Sequence, residues 1–222
     1  MNSDINSDNK WPIPKYAIVP AAIYILLLPT YFIAHLLTKD AQHISVATPL
    51  DDAIPFLPAF IWIYILAYLQ WFIGYVVIAR SSEPLCKNYF GGHFIAKSIT
   101  ILTFLILPTA IVLPNADGSG LTYELVRWIY SADNPTNLFP SLHCLESWIV
   151  ARGLMESRAP KYAKTAMWLF SILVFMSVVF VKQHFALDIV GGILVAELGI
   201  FLSKKLNFHR VYDSIENALH IR

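Results

Sequence analysis

The sequence predicts an all-α, polytopic membrane protein, a bundle of six transmembrane helices. Two observations carry this prediction. Hydrophobic residues make up 57% of the 222-residue chain and charged residues only 14%, a balance far from that of soluble domains. Apolar stretches of about 20 residues, the length that crosses the hydrocarbon core of a bilayer, recur six times with short polar connections. These connections leave no room for a separate soluble domain.

The six predicted spans are residues 16–37, 56–79, 93–112, 140–155, 162–181 and 184–202, within a membrane domain at 16–203. Residues 1–15 lack the basic and apolar regions of a signal peptide and are predicted to be a disordered cytoplasmic tail. Residues 204–222 are predicted to form a second cytoplasmic tail. Pro20 and Pro29 are expected to kink the first span, which membrane helices tolerate where neighbours satisfy the freed carbonyl groups.

The distribution of Lys and Arg predicts the orientation. All but three of the 16 basic residues fall in segments that are cytoplasmic if the N-terminus is inside, as the positive-inside rule requires. The exceptions are Lys39, Arg127 and Lys182. Both termini are therefore predicted to be cytoplasmic, in the plasma (cytoplasmic) membrane, and the loops before the fourth and sixth spans are predicted at the outer face.

Charge and cysteine content narrow the choice of partners. The net charge is +1 with no basic block, so no nucleic acid partner is expected. Cys86 and Cys144 are the two cysteines, and a disulfide framework is not expected from them. The long segment 113–139 is predicted to be functional or disordered, with an amphipathic piece, Thr122 to Tyr130, at the surface. No oligomeric state is predicted.

Two polar motifs open the fourth and sixth spans, at the same predicted membrane face. His184 and Asp188 are four residues apart, so both side chains lie on one face of a helix. A carboxylate in that position fixes the imidazole tautomer and stabilises its positive charge, which makes a histidine a nucleophile or base. His143 approaches from the facing side in this prediction and is a candidate general acid.

The groups around the two histidines suit an anion. Backbone amides near Ser141 start the fourth helix and carry the positive end of its dipole. Further candidate donors are Asn137, Lys182 and Gln183, and Lys182 is the only strong cation adjacent to the motif. The predicted ligand is a phosphate, bound by Asn137, Ser141, Lys182 and Gln183.

The same residues allow other interpretations. Two histidines and an aspartate are chemically adequate ligands for zinc or iron, although no third histidine or glutamate stands at an established metal-site spacing. Glu146 either tunes His143 or is a buried structural partner. Asp133 and Asn134 are typical of a turn, with a direct substrate role as the alternative.

Phe139-Pro140-Ser141-Leu142-His143 resembles the Pro-Ser-x-His motif of the type 2 phosphatidic acid phosphatase (PAP2) superfamily. His184-x-x-x-Asp188, preceded by Ser177, resembles that superfamily's third motif, and the resemblance covers most of the chain from the second span onward. It implies a six-helix fold and a lipid phosphatase or phosphotransferase that needs no metal or other cofactor. By this resemblance, His184 attacks phosphorus to form a phosphohistidine, Asp188 orients it, His143 protonates the leaving group and Ser141 contributes to the phosphate pocket.

The chain also departs from the superfamily pattern. Leu113 and Val178 stand where two motif arginines are usual, and Lys182 is the expected partial substitute. Leu142 in place of a common glycine, and the Lys-Gln-His string, are more similar to the inositol-phosphorylceramide and sphingomyelin synthase branch and its bacterial relatives. The resemblance thus implies hydrolysis or transfer on a phospholipid or other lipid phosphate. A lipid-binding or transporter-like relative without catalysis is the alternative.

Overall fold

A computed structural model describes residues 13–221; most of the predicted N-terminal tail, residues 1–12, lies outside the described part. The described chain is helical, with two isolated β-bridges joining the loops at 44, 109–110 and 136. Its α-helices are α1 (Ile18–Leu27), α2 (Thr30–Thr38), α3 (Pro49–Ala53), α4 (Ile61–Ser81), α5 (Glu83–Ile106), α6 (Leu121–Ala132), α7 (Leu142–Glu156), α8 (Lys161–Phe180), α9 (Ala186–Lys205) and α10 (His209–Ala218).

Five helical segments are long and apolar enough to cross a membrane. They are Lys15–Thr38, Pro58–Ser81, Glu83–Ile106, Lys161–Phe180 and Ala186–Lys205. The predicted fourth span corresponds to α7, which has 15 residues and is therefore only about 22 Å long. This short helix packs against α4, α5, α8 and α9 and is largely buried. The prediction of an all-α membrane bundle is confirmed, with α7 as its central helix.

The third span differs most from its predicted bounds, 93–112. The helix begins ten residues earlier, at Glu83, and ends at Ile106. Ser82 caps it, its hydroxyl accepting the amide of Leu85 at 3.4 Å, and Pro84 lies in the first turn, where a missing amide costs nothing. Gly91 and Gly92 precede the predicted span, but both lie inside α5.

Glycine in α5 serves helix packing. A Cβ on Gly92 would lie 3.0 Å from the Cα of Ile200, and a Cβ on Gly199 would collide with the carbonyl oxygen of Gly92. Small residues at such positions let membrane helices approach closely. Contact between the α5 and α9 backbones therefore overrides the low helix propensity of glycine.

The first span is broken near its middle. Helix α1 ends at Leu27 and α2 begins at Thr30, so Pro29 causes the predicted interruption. Pro20 lies in the first turn of α1 and does not interrupt it, as expected where the amide has no helical partner.

The predicted C-terminal tail contains a packed helix. Helix α10 lies against α1 and α5, with Tyr212 and Glu216 buried. The Lys87 ammonium of α5 lies 2.7 Å from a carboxylate oxygen of each of Glu83, Asp213 and Glu216. This ion-pair cluster joins α10 to the end of the bundle where α5 begins.

The other end of the bundle carries α6. The amphipathic piece predicted at Thr122 to Tyr130 is the central part of this helix, which buries Val126 and Ile129 against α4 and its neighbours. The Tyr130 hydroxyl donates to the carbonyl oxygen of Val181 at 2.7 Å. Helix α6 therefore lies beside the segments that lead into α7 and α9.

Candidate active site

The start of α9 positions one histidine. Asp188 is fully buried, and its Oδ2 accepts the amide of Phe185 at 2.9 Å. The same oxygen lies 3.2 Å from Nδ1 of His184. One carboxylate oxygen thus satisfies an amide of the first helical turn and orients the imidazole, which leaves Nε2 of His184 available to a substrate.

The start of α7 positions the second histidine. The Ser141 hydroxyl accepts the amide of Cys144 at 3.3 Å, a typical helix cap. The ring of His143 stacks on Tyr64, with centroids 4.1 Å apart and an interplanar angle of 29°, and Trp71 lies at 5.1 Å. Nε2 of His143 is buried and has no hydrogen-bond partner among the described atoms.

The fold brings the two motifs together. The Ser141 amide donates to the carbonyl oxygen of Asp188 at 3.0 Å, and the ring centroids of His143 and His184 are 6.1 Å apart. Gly192 permits this contact, because a Cβ there would lie 2.5 Å from the Ser141 carbonyl oxygen. The start of α7 therefore lies directly against the first turns of α9.

Both histidines line one cavity of about 340 Å³, within the range of small-molecule sites. Asn137 and Gln183 also line it. The Asn137 amide donates to the Thr38 hydroxyl at 3.1 Å. The Gln183 amide nitrogen is buried with no partner among the described atoms, so it is a donor for a bound ligand.

The Lys182 side chain does not line the cavity that holds both histidines. Its ammonium donates to the carbonyl oxygens of Asp51, at 3.0 Å, and Ile54, at 2.6 Å. It lines a second cavity of about 390 Å³, which it shares with His184, and is absent from the lining of the first. The structure thus joins this lysine to residues 48–54, the segment that contains α3 and is called the α3 loop below, rather than to the cavity that holds both histidines.

Lys97 is a cation in the cavity that the sequence analysis missed. It is 6% exposed, lines the cavity with both histidines and has its ammonium 4.0 Å from Oε1 of Glu146. The predicted span at 93–112 put this lysine at a cytoplasmic helix start. Since α5 begins at Glu83, Lys97 lies about 21 Å along the helix.

Glu146 lies in a buried polar network beside the cavity. Its Oε2 accepts the Tyr75 hydroxyl at 2.7 Å, and its Oε1 lies 2.9 Å from Nε2 of His93. With Lys97 nearby, this glutamate has the partners that a buried carboxylate needs. Its contacts fit a structural partner, and its side chain also faces the cavity.

Asp133 forms long-range contacts beyond those of a local turn. Its two carboxylate oxygens accept the hydroxyls of Tyr31, at 2.7 Å, and Tyr64, at 2.8 Å, and it lines the cavity. Because Tyr64 stacks on His143, Asp133 connects the first span to the wall behind this histidine.

Asp51 is a second residue that the sequence analysis missed. Its carboxylate accepts the Ala186 amide at 2.6 Å and the Thr48 amide at 2.8 Å. Burial raises the pKa of this carboxyl group, but the hydrogen bonds from Ala186 and Thr48 and the nearby charge of Lys182 outweigh it, so the pKa is lowered. Only the spatial contact with α9, invisible in the sequence, distinguishes Asp51 from other loop carboxylates.

A set of potential metal ligands occurs elsewhere. Among residues 13–221, the group with three ligand atoms within 4.8 Å of one another is Glu83, Asp213 and Glu216. The Lys87 ammonium contacts all three carboxylates. Within the described residues, the two histidines and Asp188 do not form such a group.

Comparison with known proteins gives a family. No curated protein and no solved structure matches the chain significantly. The model of the PAP2 superfamily matches residues 35–202, well over half of the chain, and does not distinguish the branches of that superfamily. The matched region includes both histidine motifs and the helices that bring them together. With this match on a helical membrane bundle, the chain belongs to the PAP2 superfamily.

Proposed function

We propose that the protein is a membrane lipid phosphatase or phosphotransferase that cleaves a lipid phosphate ester at the outer membrane face through a phosphohistidine on His184. Membership of the superfamily supports activity on phosphate esters. The observation that carries the proposal is the pair of histidines on one cavity, with ring centroids 6.1 Å apart. Within the described part of the chain, one of the two, His184, contacts a carboxylate, that of Asp188, at 3.2 Å.

In the first step, Nε2 of His184 attacks phosphorus while the bond between phosphorus and the lipid oxygen breaks. His143 donates a proton to the leaving oxygen. Asp188 keeps the proton on Nδ1 of His184 and stabilises the positive charge that the ring acquires. The different neighbours of the two rings assign them these different roles.

In the second step, water or an alcohol attacks phosphorus and the phosphorus–nitrogen bond breaks. His143 takes the proton of the attacking hydroxyl group, which restores both histidines. Water as acceptor gives inorganic phosphate, and a lipid alcohol gives a new phosphate ester. The same chemistry therefore serves hydrolysis and transfer.

The phosphate charge needs donors that do not reorganise during the reaction. Lys97 supplies a buried positive charge in the cavity, and Gln183 supplies an amide donor without another partner among the described atoms. Asn137 also faces the cavity, and Ser141 fixes the start of α7, where helix amides favour an anion. Lys182 supports the site by holding the turn before Gln183 and His184 against the α3 loop.

The cytoplasmic location of both termini and the outer location of the site are part of the proposal. Several basic residues lie away from the histidine cavity. They are Lys87, Arg152, which pairs with Glu197, and Lys204, which pairs with Glu156. Basic residues at one end of the bundle favour the cytoplasmic side for that end.

Labelling of single cysteines with a membrane-impermeant reagent tests the orientation. A cysteine at Val112 should be labelled from outside, and labelling from the cytoplasm would contradict the proposed orientation.

Turnover of lipid phosphates tests the chemistry. The purified protein is offered a panel of phosphorylated lipids with and without a chelator, beside His184→Ala and His143→Ala. His220→Ala is the matched control, because His220 is exposed and absent from the cavity lining.

The proposal predicts turnover that resists the chelator, is lost in both site variants and is retained in the control. Turnover that a chelator abolishes and zinc restores would favour a metal site instead. Lipid binding without turnover of any substrate in the panel would favour the non-catalytic alternative.

A further inference from the structure

The cavity that holds the histidines reaches the surface of the bundle between two candidate membrane spans, Lys15–Thr38 and Pro58–Ser81. Leu28 and Phe32 line this cavity, yet they are 49% and 56% exposed. Tyr68 of α4 and Trp128 of α6 also line it and are 48% and 57% exposed. Residues that face both the cavity and the surface mark its mouth, and these four form an apolar rim.

Helix packing explains the position of this mouth. Helices α1 and α2 pack on α5, whereas α4 packs on α5, α7 and α8. Among the described helices, α2 and α4 are not a closely packed pair. The break between α1 and α2 lies at Leu28 and Pro29, so the first span is interrupted where it borders the gap.

The outer half of the first span is fixed in place. Tyr31, His35 and Thr38 follow one another on one face of α2 and contact the segment before α7. The Tyr31 hydroxyl donates to Asp133 at 2.7 Å, His35 Nδ1 lies 2.9 Å from the Thr136 hydroxyl, and the Thr38 hydroxyl lies 3.1 Å from the Asn137 amide nitrogen. These contacts hold the wall that carries Phe32.

The residues of the first span that line the cavity precede the region that the superfamily model matches. The match begins at residue 35, while the first span contributes Tyr24, Leu28, Tyr31 and Phe32 to the cavity lining. The matched region thus supplies the histidines, and residues that precede the match supply one side of the entrance.

We propose that Leu28 and Phe32 are specificity-determining residues that bind the hydrocarbon chain of the lipid whose phosphate reaches His184. This inference rests on the proposed function and adds the element that selects the chain. The occupant follows from continuity: an apolar, membrane-facing mouth leads to the cavity where the phosphate chemistry takes place. A water-soluble phosphate ester gains nothing from such a rim.

Chain selectivity provides the first test. The ratio of kcat/KM for long-chain to short-chain phosphatidic acid is measured in detergent micelles for Leu28→Trp, Phe32→Ala and the wild type. Leu28→Trp narrows the mouth and is expected to lower this ratio about 10-fold; Phe32→Ala removes apolar contact and is expected to lower it about 5-fold. Phe72→Ala is the matched control, because Phe72 of α4 is 69% exposed and does not line the cavity.

A binding measurement that needs no turnover provides the second test. A photoreactive phenylalanine analogue replaces Phe32 or, as control, Phe72 in the His184→Ala background, in phosphatidylcholine nanodiscs that hold a little radiolabelled phosphatidic acid. Capture at position 32 should exceed capture at position 72 and fall when unlabelled phosphatidic acid is added. Unchanged selectivity in both mouth variants, or equal capture at the two positions, overturns the inference. Specific capture at position 32, together with a wild-type protein that turns over no phosphorylated lipid in the panel, supports the inference and overturns the proposed function.

Discussion

At the residue scale, one oxygen of Asp188 makes two contacts. Oδ2 of Asp188 binds both the Phe185 amide and the His184 ring, so the helix start and the proposed nucleophile depend on the same oxygen. A structural cap alone would explain the amide contact. The ring contact, on a histidine that lines the cavity, supports the proposed positioning role of the aspartate.

Asp188→Asn should lower kcat about 100-fold or more, because the amide cannot stabilise a positively charged ring as a carboxylate does. Steady-state turnover of a lipid phosphate checks this expectation. Asp52→Asn, at an exposed carboxylate of α3, is the control and should leave kcat unchanged. Equal activity of Asp188→Asn and wild type would remove the aspartate from the mechanism.

Lys97→Met should weaken substrate binding, because it removes the buried charge beside the site and retains the apolar stem of the side chain. We expect KM for a lipid phosphate to rise about 10-fold or more, given the usual strength of a charge-assisted contact. Lys205→Met, at an exposed lysine on the end of α9, is the control. A variant with unchanged KM and kcat would show that this charge does not act on the phosphate.

At the scale of elements, the α3 loop stabilises the start of α9. Asp51 binds the Ala186 amide, and Lys182 binds two carbonyl oxygens of the loop. Lys182 and Ala186 lie on either side of His184 in the sequence, so these contacts hold both ends of the turn that carries His184. A displaced loop would therefore displace His184, the proposed nucleophile.

The lowered pKa of Asp51 predicts a pH-dependent contribution to stability. A depressed carboxyl pKa stabilises the folded state at neutral pH, and this stabilisation is lost as the pH falls below about 4 and through the lowered pKa. Asp51→Asn should therefore lower the free energy of unfolding by about 1 kcal/mol near pH 7, and this difference should shrink as the pH falls below about 4. Thermal unfolding in detergent across this pH range measures the difference, and a pH-independent difference would contradict it.

Close helix contacts give a second prediction at this scale. Gly192→Ala places a Cβ against the Ser141 carbonyl oxygen at 2.5 Å, so it should lower kcat by displacing the start of α7. Gly199→Ala collides with the Gly92 carbonyl oxygen, far along α9 from the histidines, and should lower Tm with a smaller effect on kcat. If kcat falls in proportion to Tm, and by the same proportion in both variants, the loss of activity reflects stability alone and not a specific effect at Ser141.

At the scale of the whole molecule, an ion-pair cluster attaches α10 to the end of the bundle opposite the histidine cavity. Lys87 is 1% exposed and contacts three carboxylates, two of them on α10. Removal of one partner from a buried ion pair leaves an uncompensated charge, which commonly costs about 3 kcal/mol or more. Lys87→Met should therefore release α10, as faster hydrogen exchange at residues 209–218. Exchange that stays as slow as in the wild type would contradict this role.

The sequence predicted the class of fold and the contact between the two histidine motifs, because apolar length and the i,i+4 spacing of His184 and Asp188 are local properties. It misplaced the start of α5, since the glycines there are suited to contact with α9, a partner far along the chain. That error hid Lys97 from the site. The contacts of Asp51 and the first span with the site depend on the three-dimensional arrangement alone.

The central claim is a covalent phosphoryl group on His184. Rapid quenching of the wild-type protein with a radiolabelled lipid phosphate, followed by peptide mapping, measures this group directly. We expect a label that is stable to base, labile to acid, located at His184 and absent from His184→Ala. Turnover without any labelled protein during the reaction, or full turnover by His184→Ala, would contradict it.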